Sequence, residues 1–121
     1  MPGKSIMIAD DDAGMVEFIA TALQTSGCEV DSVTSTEDLV KKLRSATPDL
    51  ILLDMGMPGL DEKTPAVDVR KRTLTRAKIV VLTGRDIAAE RKAGHLQGTQ
   101  GAIQKASGMD AIVATVQEML K

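Results

Sequence analysis

Aromatic side chains are all but missing: Phe18 stands alone, with no Trp and no Tyr. That excludes the stacking platforms of single-strand nucleic-acid binders and the aromatic cages that hold quaternary ammonium ligands. It also leaves the core to Leu, Ile, Val and seven Met. One cysteine, Cys28, excludes an internal disulfide and a cysteine metal cluster. Its apolar surroundings predict a buried small hydrophobe rather than a reactive thiol. No run approaches the roughly 20 apolar residues that a membrane span needs. The formal net charge of −2 offers no general attraction to nucleic acid or an anionic membrane. Met1-Pro2-Gly3-Lys4 leads directly into a short apolar run, without an h-region or cleavage site, so a cytoplasmic protein is expected.

What is present alternates between strand and helix signals five times, within a length of 121 residues that fits one domain over 1–121. Ile6-Met7-Ile8-Ala9, Leu50-Ile51-Leu52-Leu53 and Ile79-Val80-Val81-Leu82 are unbroken apolar runs, as strands buried on both faces require. Residues 28–33 read as a mixed-polarity edge strand, and Ala102-Ile103-Gln104 as a short fifth strand. Between them lie helical stripes. The first is Met15, Phe18, Ile19, Ala22 and Leu23, stopped by Gly27. The second is Leu39, Val40 and Leu43, capped by Ser35 and ended by Pro48. Thr64-Pro65 resembles an N-cap with proline at the first helical position, opening a basic helix over about 65–75. Asp86 begins a helix with few large apolar residues, expected to be the least firmly packed. Ser107 and Asp110 resemble a capping pair for the last stripe, Met109, Ile112, Val113, Val116 and Leu120. Five β–α units predict an α/β fold with a mostly parallel sheet and helices on both faces.

Ligands of such sheets bind beyond the carboxyl ends of the strands. There the sequence places Asp10-Asp11-Asp12, Asp54, Thr83 and Lys105, while the edge strand offers only Ser32 and Thr34. Crowded carboxylates repel one another, and a hard divalent cation such as Mg²⁺ relieves that repulsion through oxygen ligands. Lys105 is a point charge suited to a phosphoryl oxygen, Thr83 is a hydroxyl donor, and Gly84 leaves room beside it. A carboxylate in this company can form an aspartyl phosphate. Asp12, just before a helix, reads as an N-cap rather than a ligand. Asp61 and Glu62 read as solvated loop residues.

These segments, taken in order, resemble receiver domains of bacterial two-component response regulators, of the chemotaxis-regulator-like kind. The resemblance rests on Ile6–Asp12, on Asp54-Met55-Gly56-Met57-Pro58-Gly59-Leu60-Asp61, on Val81-Leu82-Thr83-Gly84, and on the segment from Gly98 to Lys105. It implies a flavodoxin-like three-layer sandwich with five parallel strands in the order 2-1-3-4-5. It implies Asp54 as the phosphoacceptor. Asp10 and Asp11 become the metal-binding pair, with Asp11 the more direct ligand of Mg²⁺, joined by Asp54 and the Gly56 carbonyl. Thr83 and Lys105 hold the phosphoryl oxygens. It further implies a sensor histidine kinase, a phosphotransfer protein or a small phosphodonor as source. Self-catalysed dephosphorylation is tuned at Gly56 and Arg85. Output passes to a downstream protein through the face of helix 4, strand 5 and helix 5, which includes Lys92 and His95, or through a homodimer.

Two positions depart from the family pattern. Ala102 stands where an aromatic normally moves inward on activation, and Ala106 stands where proline usually follows the lysine. A trans bond is therefore expected at Lys105-Ala106. Three other readings remain open at this level. One is a phosphorylation-independent pseudo-receiver that only binds partners. Another is a phosphohydrolase using Asp10 and Asp12 as an Asp-x-Asp motif. The last is a nucleic-acid binder resting on Arg70, Lys71 and Arg72. His95, the only histidine, reads as a surface residue.

Overall fold

The computed structural model describes residues 3–121, so the Met1-Pro2 start of the N-terminal reading lies outside the described residues. Strands β1 (Ser5–Ala9), β2 (Glu29–Val33), β3 (Leu50–Asp54), β4 (Lys78–Thr83) and β5 (Gly101–Gln104) form one parallel sheet ordered β2-β1-β3-β4-β5. The helices are α1 (Ala13–Thr25), α2 (Thr36–Leu43), α3 (Pro65–Thr73), α4 (Ile87–Lys92) and α5 (Met109–Met119). A 3₁₀ turn, Lys105–Ser107, joins β5 to α5.

Side chains alternate faces along each strand, and the apolar runs fill both. Ile6, Ile8, Leu50, Leu52, Val80 and Leu82 pack with α1 and α5. Met7, Ala9, Ile51, Leu53, Ile79 and Val81 pack with α2, α3 and Leu96 beyond α4. In both layers each fully buried Leu or Ile contributes roughly 1.5–3 kcal/mol relative to exposure. The three-layer arrangement and strand order are those implied by the family resemblance. No helix among the described residues is long and apolar enough to cross a membrane.

Several local expectations hold, and several are corrected. Asp12 and Ser35 cap α1 and α2, accepting from the amides of Met15 and Asp38. Cys28 is buried, and that burial pushes its thiol above its ordinary pKa. Lys105-Ala106 is trans, as is every other peptide bond among the described residues. Phe18, by contrast, is 65% exposed. The buried stripe of α1 is Val16, Ile19 and Leu23, and Phe18 lies to one side of it. Helix α2 ends at Leu43, well before Pro48, because the chain turns at Arg44–Ala46 through hydrogen bonds back to Lys41 and Lys42. Helix α3 ends at Thr73, where Leu74 takes the left-handed conformation at φ 59°. Thr64 occupies the N-cap position of α3 without a side-chain cap bond. Asp61 organises that end instead, accepting from the amides of Lys63 and Thr64. The Ser107–Asp110 capping pair does not form. Ser107 is taken into the 3₁₀ turn, and Gly108 at φ 91° makes the entry to α5.

Candidate functional site

Parallel pairing brings the strand ends to one rim, and register decides which residues meet there. Ala9 lies opposite Leu53, which sets Asp10 beside Asp54. Asp54 lies opposite Leu82, and Thr83 opposite Gln104, which brings Thr83 and Lys105 to the same end. Between β1 and β3 the chain reverses its winding direction, which is where open α/β sheets bind ligands.

Asp54 is buried, and its Oδ1 accepts from the Gly56 amide at 3.1 Å. The Lys105 Nζ lies 3.1 Å from the same oxygen. Asp10 is fully buried, and its Oδ1 accepts from the Asp12 amide at 3.0 Å. Its Oδ2 has no hydrogen-bond partner, with the Lys105 ammonium the nearest cation at 3.6 Å. Burial raises the Asp10 carboxyl to about 6, and the adjacent Asp54 charge adds to the rise. The Asp12 amide and Lys105 only partly oppose it. Lys105 shows the complementary effect. Burial acts to lower its pKa, but hydrogen bonding and charge pairing with Asp54, then with Asp10, hold it above the ordinary value.

One carboxylate oxygen each from Asp10, Asp11 and Asp54 lies within 4.8 Å of the others. Asp11 is exposed, so the cluster opens to solvent on its side. An all-oxygen set containing a buried, unpartnered carboxylate oxygen fits a hard divalent cation. Asp12 lies outside this group, and its Oδ1 caps α1 by accepting from the Met15 amide at 3.1 Å. That placement counts against the Asp-x-Asp reading, which needs Asp12 beside Asp10.

The acceptor opens into a cleft of about 800 Å³ lined by Asp54, Gly56, Thr83, Gly84 and Lys105. Ser32 of β2 and Thr34 just after it do not line it. The Thr83 hydroxyl accepts from the Arg85 amide at 3.0 Å, which leaves its own hydrogen to donate into the cleft. The loop after Asp54 is anchored by Thr36, whose hydroxyl donates to the Pro58 carbonyl at 2.6 Å. A Cβ on Gly59 would meet the Thr36 Cβ at 3.2 Å, and its φ of +91° also favours glycine there.

Some cleft residues escaped sequence reasoning. Glu90 is buried, which nothing in its local sequence indicates. His95 is half-buried, not a surface residue, and its Nδ1 lies 2.6 Å from Glu90 Oε2. An i,i+5 pairing across the end of α4 has no helical periodicity to reveal it. The basic run of α3 is largely occupied. Arg70 donates to Gly98 O, Thr75 O and Gln100 Oε1, and Arg72 pairs with Asp68 and Gly59 O. That leaves Lys71 alone of the three, and the nucleic-acid reading loses its patch.

Comparison with known proteins bears on the same arrangement. The phosphate regulon transcriptional regulatory protein PhoB of Pseudomonas aeruginosa is 31% identical over 100% of this chain and 53% of its own length. The transcriptional regulatory protein BasR of Escherichia coli is 27% identical over 96% of this chain and 52% of its own. The chain thus spans about half the length of these curated relatives. The response regulator protein TrrA of Thermotoga maritima, solved in complex with Mg²⁺-BeF, superposes with a TM-score of 0.81 at 29% identity. That match covers 97% of this chain and 99% of TrrA. The family model of the response regulator receiver domain matches residues 6–117, a span that holds every strand end of the cleft. With that span, the 2-1-3-4-5 sheet and the acidic rim in agreement, the chain belongs to the response regulator receiver domain family.

Proposed function

We propose that the chain, as a single domain over 1–121, accepts a phosphoryl group on Asp54 with Mg²⁺ and relays that event to a protein partner. The observation that carries this reading is the convergence on Asp54. Lys105 Nζ lies at 3.1 Å, and the carboxylates of Asp10 and Asp11 come within 4.8 Å of it. Asp10, Asp11, Asp54 and the Gly56 carbonyl would hold the cation, which when bound supplies neutralising charge to the transferring group.

The protein's own groups account for the rest. Asp54 Oδ1 is held by the Gly56 amide and Lys105, so Oδ2 is the attacking oxygen. An O–P bond forms from Oδ2 as the P–N bond of a phosphohistidine breaks, and the imidazole departs with the bonding pair. Acetyl phosphate serves in the same way, with acetate leaving. The Lys105 ammonium and the Thr83 hydroxyl then bind phosphoryl oxygens. In the reverse sense, water attacks phosphorus and the Asp54 carboxylate leaves. Gly56 keeps that approach open, and the exposed Arg85 borders it.

The phosphoryl source is a sensor histidine kinase or phosphotransfer protein in a cytoplasmic phosphorelay. The output surface is the α4–β5–α5 face, which carries Lys92 and engages a downstream protein or a second copy of the chain. No nucleic acid or membrane contact is needed. The chain performs no separate enzymatic turnover beyond its own phosphorylation and dephosphorylation.

Intact-mass measurement after incubation with Mg²⁺ and acetyl phosphate tests this. One phosphoryl adduct, lost in Asp54→Ala, is the expected result. An adduct that persists in Asp54→Ala and vanishes in Asp10→Ala overturns the assignment. Absence of any adduct from either acetyl phosphate or a phosphorylated kinase favours the pseudo-receiver alternative, which the Ala102 and Ala106 departures suggest.

A further inference from the structure

Outside the acceptor cluster, Glu90 is the only buried carboxylate among the described residues, at 4% exposure. A buried charge is retained only when paired, because desolvation alone is costly. The placement is unusual for another reason. Helix α4 is six residues long, and Glu90 is its only buried residue. Its apolar hold on the core is the partly buried Ile87, so the carboxylate is the most deeply buried side chain that α4 contributes.

The partners of that carboxylate lead back to the acceptor. Oε2 lies 2.6 Å from His95 Nδ1, just past the end of α4. Oε1 lies 3.6 Å from the Arg85 guanidinium, whose side chain is 79% exposed and hence able to change partner. The Arg85 amide in turn donates to the Thr83 hydroxyl at 3.0 Å. Arg85, Glu90 and His95 line the same cleft as Asp54, Thr83 and Lys105. Ala102 lies on the sheet face that α4 covers, and its single methyl cannot transmit a change by moving inward.

We propose that Glu90 is a charge-sensing tether: paired with His95 and Arg85 it holds α4 on the sheet, and phosphorylation of Asp54 loosens that hold by drawing Arg85 to the phosphoryl group. The inference rests on Asp54 being the acceptor, as proposed above. The physical basis is competition for one cation. A phosphoryl group brings about −1.5 to −2 of charge into the cleft. Arg85 then has a stronger anion to pair with, and Glu90 faces an added negative charge with one partner fewer. The helix whose apolar anchor is only the partly buried Ile87 is the element that yields.

Hydrogen exchange over residues 86–96, read by mass spectrometry with and without Mg²⁺ and acetyl phosphate, tests the tether. Adduct formation is scored on the same samples. In the wild type, phosphorylation speeds exchange there by about two- to fivefold, the factor expected for losing a partly exposed ion pair. Glu90→Gln keeps the shape of the side chain. It should still form the Asp54 adduct, exchange fast before phosphorylation, and change little afterwards. Arg85→Gln alters an exposed side chain that the fold does not need, and it should blunt the response in the same way. If either folded variant keeps both wild-type protection and the wild-type response, the tether is wrong while the acceptor assignment stands. If the wild type forms no adduct with acetyl phosphate or with a phosphorylated kinase, the acceptor assignment fails and the tether's trigger fails with it.

Discussion

Replacing Asp10 with asparagine should make this protein more stable, and only in one range of pH. Asp10 is fully buried beside Asp54, and its carboxyl is raised from 3.8 to about 6. A folded-state value above the unfolded one means that the folded chain holds this proton more tightly. Well below pH 4 both states are protonated at Asp10, and the residue costs nothing. As pH rises from about 4 to about 6 the unfolded chain ionises first, and stability falls. Above about 6 the full cost is present, at most about 3 kcal/mol when each tenfold change is worth 1.36 kcal/mol. Asparagine removes the charge and keeps an Oδ1 acceptor for the Asp12 amide, which now sits 3.0 Å away. Its amide N–H groups must find new partners where Oδ2 had none, so a net gain of about 1–3 kcal/mol is expected at pH 8 in EDTA. With no Trp or Tyr to report by fluorescence, urea unfolding is followed by far-ultraviolet circular dichroism. The gain should be much smaller at pH 4. Added Mg²⁺ should stabilise the wild type more than the variant, because binding to the folded state adds stability by mass action. A variant no more stable than wild type at pH 8 in EDTA, or one whose gain is undiminished at pH 4, would refute the account of the acidic rim.

Three further outcomes follow from the geometry. Lys105→Ala removes the ammonium 3.1 Å from Asp54 Oδ1, and phosphorylation by acetyl phosphate should slow by about 10²-fold, as for loss of one preorganised charge-stabilising group; a wild-type time course of adduct formation counts against that role. Arg70→Ala breaks three hydrogen bonds that tie α3 to Thr75, Gly98 and Gln100, and should lower stability by about 1–2 kcal/mol in urea unfolding; an unchanged midpoint shows the tie to be idle. Leu74→Gly should raise stability by about 1 kcal/mol, because Leu74 sits at φ 59° where a side chain is penalised. Its side chain is 83% exposed, so little packing is lost, and a lower melting temperature contradicts this.

Much of the fold was legible because its signals are local. Unbroken apolar runs such as Leu50–Leu53 mark strands buried on both faces, and each run delivers its next residue to the rim without reference to distant chain. Asp54, Thr83 and Lys105 were therefore readable as neighbours once the strands were taken as parallel. Capping at Asp12 and Ser35 was readable for the same reason, since donor and acceptor lie within one turn. Errors fell where a local pattern had two solutions. Phe18 fits a helical stripe as well as Val16 does, and only the position of the sheet decides which face of α1 is buried. Ser107 has capping chemistry, but Gly108 reaches the backbone angle that the junction needs.

The strand order came from likeness to a family rather than from residue patterns, because five β–α units are compatible with more than one winding. The sequence by itself determined the five units, the acidic and basic residues at their ends and the near absence of aromatics, all properties of short segments. Only the tertiary structure decided that Asp10 loses its solvent and rises to about 6, that Arg70 is spent on loop carbonyls, and that Glu90 is buried against His95 and Arg85. Burial and pairing of charge depend on what the rest of the chain places around a group, and no window of sequence contains that information.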